Sequence, residues 1–317
     1  MRSVEAVQPK NPDYARRARD SFGRQAFMGL IGASIDSIEP GRCVLRMPGA
    51  PGITQHQGCF HGGAIASLAD TAAGYAAFSM ASTDESILTV ELKINFLTGA
   101  IGNAIVADAR IVGSGQSLTV CEGRVYSEAD GDKTLCAVIL ETLMLLPGRA
   151  DSQTTSRPSS RRQAPYVPAL VDASTQPAHD KFREHVTEAF SLQPFPTKIG
   201  MQLEIIDVGH CITVLPRRDD LTQQHGFFHG GVVATMADLT MGAAAGTIAP
   251  AGIAMVTAEF KLNLMAPGDA QSLRAYGHVV RPGRTVSICR ADVTNAASDG
   301  NEYLCASAMG TIMGIPT

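Results

Sequence analysis

Two hydrophobic textures alternate along the chain, and each occurs twice. Residues 61–80 (HGGAIASLADTAAGYAAFSM) and 229–247 are dominated by Ala, Gly and small apolar residues, a composition that lets a helix be buried on most of its sides at close range. Each reads as a central helix. After the first, β-branched and alternating runs at 87–97, 104–113, 118–127 and 134–146 predict four strands, separated by Gly-rich or Asp-Gly turns and with counterparts in the second half. Before each helix, the segments 43–47 and 211–215 end at a proline, as a closing strand does, and a strand pair is expected there. Helical spacing of apolar and charged positions at 14–28 and 180–192 predicts a short amphipathic helix leading each half. Each half is α+β, a long antiparallel sheet around one helix.

The halves are copies. Residues 54–70 read TQHQGCFHGGAIASLAD and residues 222–238 read TQQHGFFHGGVVATMAD, a shift of 168 with ten identities in seventeen positions, where chance gives about one. The same shift pairs Phe22, Gln25 and Phe27 with Phe190, Gln193 and Phe195, and Thr89, Glu91, Lys93 and Asn95 with Thr257, Glu259, Lys261 and Asn263. One extra residue in the second copy then brings Asp130-Gly131 onto Asp299-Gly300 and Thr142 onto Thr311. The segment between the copies is rich in Pro, Ser, Thr and Arg and lacks apolar periodicity, as a linker does. The expected division is one domain at 1–146, a linker at 147–178 and a second domain at 179–317. The linker arginines Arg157, Arg161 and Arg162 read as a solvated face.

Composition narrows the function. Of 317 residues 45% are hydrophobic and 18% charged, with a net charge of -4, too even for a protein that coats nucleic acid. No apolar segment near Met1 and no charge-free stretch of about 18 residues point to a leader or a membrane span. A cytoplasmic protein is expected. Six of the seven cysteines fall into repeat pairs (Cys43 and Cys211, Cys121 and Cys289, Cys136 and Cys305), which suits small hydrophobes in a core. Cys59 faces Phe227 instead, and no ligand-like spacing of Cys and His indicates a metal.

The His-Gly-Gly turn opening an Ala-rich helix, with Gln six residues before the His, Asp nine after it and Thr-x-Glu-x-Lys-x-Asn further on, resembles the PaaI-type hot-dog acyl-CoA thioesterases. The resemblance spans both halves, the expected linker and termini excepted, and it implies two tandem hot-dog domains paired as a pseudo-dimer. It also implies Asp70 and Asp238 as general base or nucleophile, Gln55 and Gln223 as groups that position thioester or water, and Thr89 and Thr257 as catalytic or positioning hydroxyls. A Gly-Arg turn near the CoA moiety is implied at Gly283 and Arg284. The first copy has Gly115 followed by Gln116, without the basic residue, which questions equal CoA affinity at the two sites. Pairing of two such chains is a further expectation, as is the absence of any cofactor beyond the CoA thioester itself.

The residues support the chemistry independently. Hydrolysis of a thioester needs a donor for the developing oxyanion and a carboxylate or water for the carbonyl carbon. Gly62 and Gly230 start helices, where unpaired N–H groups favour negative charge and glycine admits a ligand to the backbone. Asp70 and Asp238 fall mid-helix among apolar residues, where desolvation raises a carboxylate's pKa and strengthens it as a base. A carboxylate satisfied by a neighbouring hydroxyl such as Ser67, or by the sheet, would be the purely structural alternative. His61 and His229 read as helix caps and loop-setters, Gln55 and Gln223 equally as loop ties or substrate contacts, and the threonines are ordinary strand residues by propensity.

One distance decides the architecture. Gly62 and Asp70 are about 12 Å apart along one helix, at ~1.5 Å per residue, yet both must reach one carbonyl. Each site is therefore expected to be composite: Asp70 with Gln223, His229 and Gly230, and Asp238 with Gln55, His61 and Gly62. A hot-dog hydratase or dehydratase and a non-catalytic acyl-CoA sensor are the competing readings. The first needs an acid/base Asp-His or Glu-His pair over the acyl carbons. A sensor fits an intact pair of carboxylates poorly.

Overall fold

A computed structural model describes residues 8–55, 58–148, 164–168, 175–296 and 300–316. The first half runs α1 (Tyr14–Phe22), α2 (Ala26–Leu30), β1 (Ser34–Glu39), β2 (Arg42–Pro48), α3 (Gly62–Phe78), β3 (Ser86–Phe96), β4 (Ala104–Ser114), β5 (Leu118–Ala129) and β6 (Asp132–Leu146). The second repeats it as α4 (Phe182–Ser191), α5 (Pro194–Ile199), β7 (Gln202–Asp207), β8 (His210–Pro216), α6 (Gly230–Gly246), β9 (Ile253–Leu264), β10 (Ser272–Arg281), β11 (Val286–Ala296) and β12 (Glu302–Pro316), with a 3-10 turn at Asp219–Leu221. The leading helix expected as one element is two. It breaks at Gly23, and Gln25 follows in an extended conformation as the N-cap of α2. Gln193 repeats this before α5, where Pro194 fixes the first helical position.

All twelve strands form one antiparallel sheet in the order β1-β2-β4-β5-β6-β3-β9-β12-β11-β10-β8-β7. Asp130 and Gly131, at φ of 51° and 92°, make the tight β5–β6 turn, where two successive positive φ values match the twist of the strands. Asp299 of the second copy lies outside the described residues, as do Arg157, Arg161 and Arg162 and most of the expected linker. No helix among the described residues is long and apolar enough to cross a membrane.

The halves join where β3 pairs with β9, in register about Lys93 opposite Lys261. Lys93 pairs with Glu259, and Lys261 with Glu91 at 2.7 Å. The recurring Glu-x-Lys segment is thus the seam of the molecule. A bulge lies between Thr89 and Glu91 on β3, and another at the equivalent point of β9. Each shifts the two-residue alternation by one, so Thr89 and Thr257 turn to the central helices while Glu91 and Glu259 face the other side.

α3 and α6 lie together in the concavity, and every residue of α3 except Gly62 and Gly74 is buried. They cross antiparallel with the helix start of each against the middle of the other. A Cβ placed on Gly63 would be 2.7 Å from Cγ2 of Thr235, and one on Gly231 would be 2.7 Å from Cα of Ser67. Glycine is required at both crossings. The buried side chains of both halves form one continuous core, and the six paired cysteines are buried in it as free thiols.

Candidate active site

Each His-Gly-Gly segment builds a helix start. The preceding loop is closed by a bridge between Thr54 and Phe60, repeated between Thr222 and Phe228, and turns at Gly58 and Gly226, both at φ 81°. His61 and His229 are the N-caps. Nδ1 of His61 accepts the Gly63 N–H at 3.0 Å, and Nδ1 of His229 that of Gly231 at 2.9 Å. Because Nδ1 holds a lone pair, the neutral ring carries its proton on Nε2. That proton goes to a glutamine of the opposite half: His61 to Oε1 of Gln193 at 3.0 Å, and His229 to Oε1 of Gln25 at 3.1 Å. Burial lowers both imidazoles to about 4. They stay neutral, and both ring nitrogens are engaged.

The caps leave the N–H of Gly62 and of Gly230 without an intrahelical acceptor, and the acid of the other helix stands beside each. A methyl on Gly230 would lie 3.4 Å from Oδ2 of Asp70, and one on Gly62 3.4 Å from Oδ2 of Asp238. Thr89 donates to Oδ1 of Asp70 at 2.9 Å and Thr257 to Oδ1 of Asp238 at 2.6 Å. Ser67 bonds the Gly63 carbonyl instead, so it does not satisfy Asp70. Burial raises both carboxyls to about 6, against the opposing pull of the threonine bonds.

Two cavities contain these groups. One of about 300 Å³ is lined by Asp70, Thr89, Gln223, His229 and Gly230, and one of about 420 Å³ by Asp238, Thr257, Gln55, His61 and Gly62. The structure thus brings together the two composite sets expected from sequence. Gln223 also ties its own loop, its Oε1 accepting the His225 N–H at 2.7 Å. Gly115, Gly283 and Arg284 do not line either cavity. They lie in exposed turns, and the turn after Gly115 touches the end of β6, whose Met144 and Leu146 line the smaller cavity.

The sequence profile of the Thioesterase superfamily matches residues 57–134 and again 225–299. The 1,4-dihydroxy-2-naphthoyl-CoA hydrolase of Listeria monocytogenes is 31% identical over 112 residues, 34% of this chain and 89% of that protein. The crystal structure of a thioesterase family protein from Silicibacter pomeroyi is 42% identical over 43% of this chain and 99% of that one, with a TM-score of 0.42. The chain belongs to the thioesterase superfamily. Both halves together match the acyl-CoA thioesterase II TesB2 of Mycobacterium marinum, at 13% identity over 92% of this chain and 98% of that one, with a TM-score of 0.56. The double hot-dog fold is therefore shared along nearly the whole length, and thioester hydrolysis is the class of reaction that this thioesterase serves.

Two features of the thioesterase site were not visible in its sequence. Gln25 and Gln193 stood out only as a repeat pair, and their contact with the opposite histidine depends on the break between the leading helices. Glu141, an isolated carboxylate in the apolar run of β6, is fully buried. Oγ1 of Thr89 lies 2.9 Å from both Oε1 of Glu141 and Oδ1 of Asp70. A hydroxyl has one proton to give, so the second contact needs a proton on a carboxyl. Glu141 holds it: burial and the neighbouring Asp70 push its pKa well above the carboxylate range, and its Oε2 has no partner among the described residues. The chain of donors runs from Glu141 through Thr89 to Asp70. In the second copy the position is Gly310, and among the described residues Thr257 serves Asp238 alone.

With Asp238 changed to Asn, so that only the Asp70 site turns over, Glu141→Leu is expected to raise the pH midpoint of activity by about half a unit to one unit. That is the size of one lost hydrogen bond at ~1.36 kcal/mol per unit. Glu141→Gln keeps a donor to Thr89 and should leave the midpoint in place. Identical midpoints for Leu and Glu would remove Glu141 from the relay.

Proposed function

We propose that the protein hydrolyses acyl-CoA thioesters to free acid and CoA at two composite sites. The carbonyl oxygen lies against the N–H of Gly230 or Gly62, where the helix start favours the developing negative charge. The carboxylate of Asp70 or Asp238, aimed by Thr89 or Thr257, activates water or attacks the carbonyl carbon itself. His229 and His61 hold the glycine turn and carry no proton in the reaction. The observation that carries this reading is the placement of each acid beside the other helix's first glycine, 3.4 Å from where a methyl would stand.

The engagement of both ring nitrogens argues against a hydratase built on an Asp-His or Glu-His pair, whose chemistry needs an imidazole free to exchange a proton over the acyl carbons. The exposed turn at Arg284 adjoins Thr285, which bonds Gly314 beside the cavity-lining Met313 and Ile315. This supports a CoA contact near the Asp238 site, with no equivalent cation at Gln116.

The test is release of thiol from a panel of acyl-CoAs, with the products identified. Free acid and CoA are expected, and hydroxyacyl-CoA with no thiol would select the hydratase. The ionised acid is the active form, so activity should rise as pH increases through about 6. The two acids' own contribution to stability moves the other way: between about pH 4 and 6 they keep protons in the folded protein that the unfolded chain has lost, which lowers the unfolding free energy as pH rises. His61 and His229 oppose this over the same window, since they are neutral in the folded protein and protonated in the unfolded chain.

A further inference from the structure

The two cavities follow equivalent faces of the central helices, and their walls differ in a consistent direction. From each acid the lining residues recur at the same helical spacing: Asp70, Thr71, Gly74, Tyr75 and Phe78 on α3, and Asp238, Leu239, Gly242, Ala243 and Gly246 on α6. The repeat also pairs Ser86 with Ala254 at the start of the adjoining strand, and Ser21 with Ala189 on the leading helix, all four lining their cavities. At four paired positions the smaller cavity has a hydroxyl where the larger has only carbon: Thr71 for Leu239, Tyr75 for Ala243, Ser86 for Ala254 and Ser21 for Ala189. The reverse exchange, Thr98 for Ala266, lies on the β3–β4 loop, away from the helix faces that carry the acids.

Three of the four hydroxyls are tied to neighbouring side chains of the wall, while Thr71 donates to the Ser67 carbonyl at 2.8 Å. Nε2 of Gln25 donates to the Tyr75 hydroxyl at 3.1 Å, which donates to Oγ of Ser21 at 3.2 Å, and Gln25 also reaches Oε1 of Gln224 at 2.9 Å. Ser86 is 3.5 Å from Nε2 of His225. Size follows the same division. Tyr75 and Phe78 narrow the first cavity to about 300 Å³, while Ala243 and Gly246 leave the second about 120 Å³ larger, at about 420 Å³. That difference is the room of roughly four water-sized groups at ~30 Å³ each.

We propose that the two sites divide the substrates: the Asp238 site takes long, unsubstituted acyl chains, and the Asp70 site takes compact acyl groups carrying a distal hydroxyl. This rests on the hydrolytic reading above and adds to it the chemistry of each acyl group. A plain chain filling the Asp70 cavity displaces water from hydroxyls and offers nothing in return, and Phe78 limits how far it can extend. Tyr75 is five residues beyond Asp70, about 7.5 Å along the helix. Six single bonds of about 1.5 Å in a staggered zigzag cover a similar length, so a hydroxyl on the sixth carbon reaches that wall. In the Asp238 cavity each additional buried methylene is worth about fourfold in kcat/KM.

Thiol release from hexanoyl-, 6-hydroxyhexanoyl- and decanoyl-CoA tests the division, using D238N to leave only the Asp70 site and D70N to leave only the Asp238 site. D70N is expected to favour decanoyl over hexanoyl by about 100-fold or more, as four extra methylenes allow. D238N is expected to favour 6-hydroxyhexanoyl over hexanoyl by at least about tenfold and to turn over decanoyl-CoA poorly. Adding Tyr75→Ala and Phe78→Ala to D238N should raise decanoyl turnover about tenfold and abolish the hydroxyl preference. Identical chain profiles in the two single variants would overturn the division while leaving hydrolysis intact. So would a D238N protein inactive on all three thioesters beside an active D70N. If the unaltered protein releases no thiol from any of them, the hydrolytic reading falls and the division with it.

Discussion

A protein in which Asp70 and Asp238 are both asparagine should lose acyl-CoA hydrolysis by about 10³-fold or more in kcat/KM, since a positioned base or nucleophile contributes ~10²–10⁴-fold and, among the described residues, no other carboxylate lines either cavity. Asparagine keeps the shape of the side chain and an oxygen able to accept from Thr89 or Thr257, whose bonds to the acids are 2.9 and 2.6 Å. The fold should therefore hold, and its stability at neutral pH should not fall, because two buried carboxylates held above their ordinary pKa no longer need to ionise. Each single change should remove one site and spare the other, since the two lining sets share no residue. Steady-state rates with a thiol reagent, beside a thermal melt, decide the matter. A double variant that is folded and still fully active would take both acids out of the mechanism.

The second large effect concerns the crossing of α3 and α6. Gly231→Ala puts a methyl 2.5 Å from Cβ and 2.7 Å from Cα of Ser67. No rotamer relieves a clash with backbone, so the helices must separate, at a cost of about 2–3 kcal/mol for overpacking of this kind. The melting temperature should drop by several degrees. Turnover should fall with it at both sites, because the spacing of the helices sets the distance from each acid to the opposite glycine. The reciprocal position behaves differently. Every close contact of a methyl at Gly63 is with the side chain of Thr235, the nearest including Cγ2 at 2.7 Å and Cβ at 2.9 Å. Thr235→Gly should therefore rescue Gly63→Ala, whereas Ser67→Gly should rescue Gly231→Ala only in part. Unfolding of the four variants in denaturant provides the comparison, and equal rescue at both crossings would show that the helices yield rather than clash.

The central helices, the strands and the composite nature of the sites were legible because they rest on local signals. Composition marks residues 61–80 and 229–247 as buried helix, and the spacing of Gly62 from Asp70 excludes a site within one helix whatever surrounds it. Repetition then says where the missing half comes from. What escaped depends on how separate elements meet. Gln25 and Gln193 reach the opposite histidines because a break at Gly23, and a proline start at Pro194, turn them inward, and neither break announces a partner. Glu141 carries no local mark beyond being polar in an apolar strand, and its significance lies in Thr89, which a bulge turns toward it. Glu91 and Lys93 were noticed as a motif accompanying the acids, yet they fasten β3 to β9. Gly115, Gly283 and Arg284, whose roles came from the resemblance alone, lie outside both cavity linings.

That β3–β9 seam has a consequence for inheritance. When two identical subunits meet about a true twofold axis, any change in the gene appears on both sides of the axis, and an advantage in one pocket is imposed on its twin. Here the axis passes between Lys93 and Lys261, two positions of one polypeptide. A mutation at Tyr75 leaves Ala243 untouched. Symmetry persists in the backbone and has lapsed in the side chains, which frees natural selection to act on each pocket by itself.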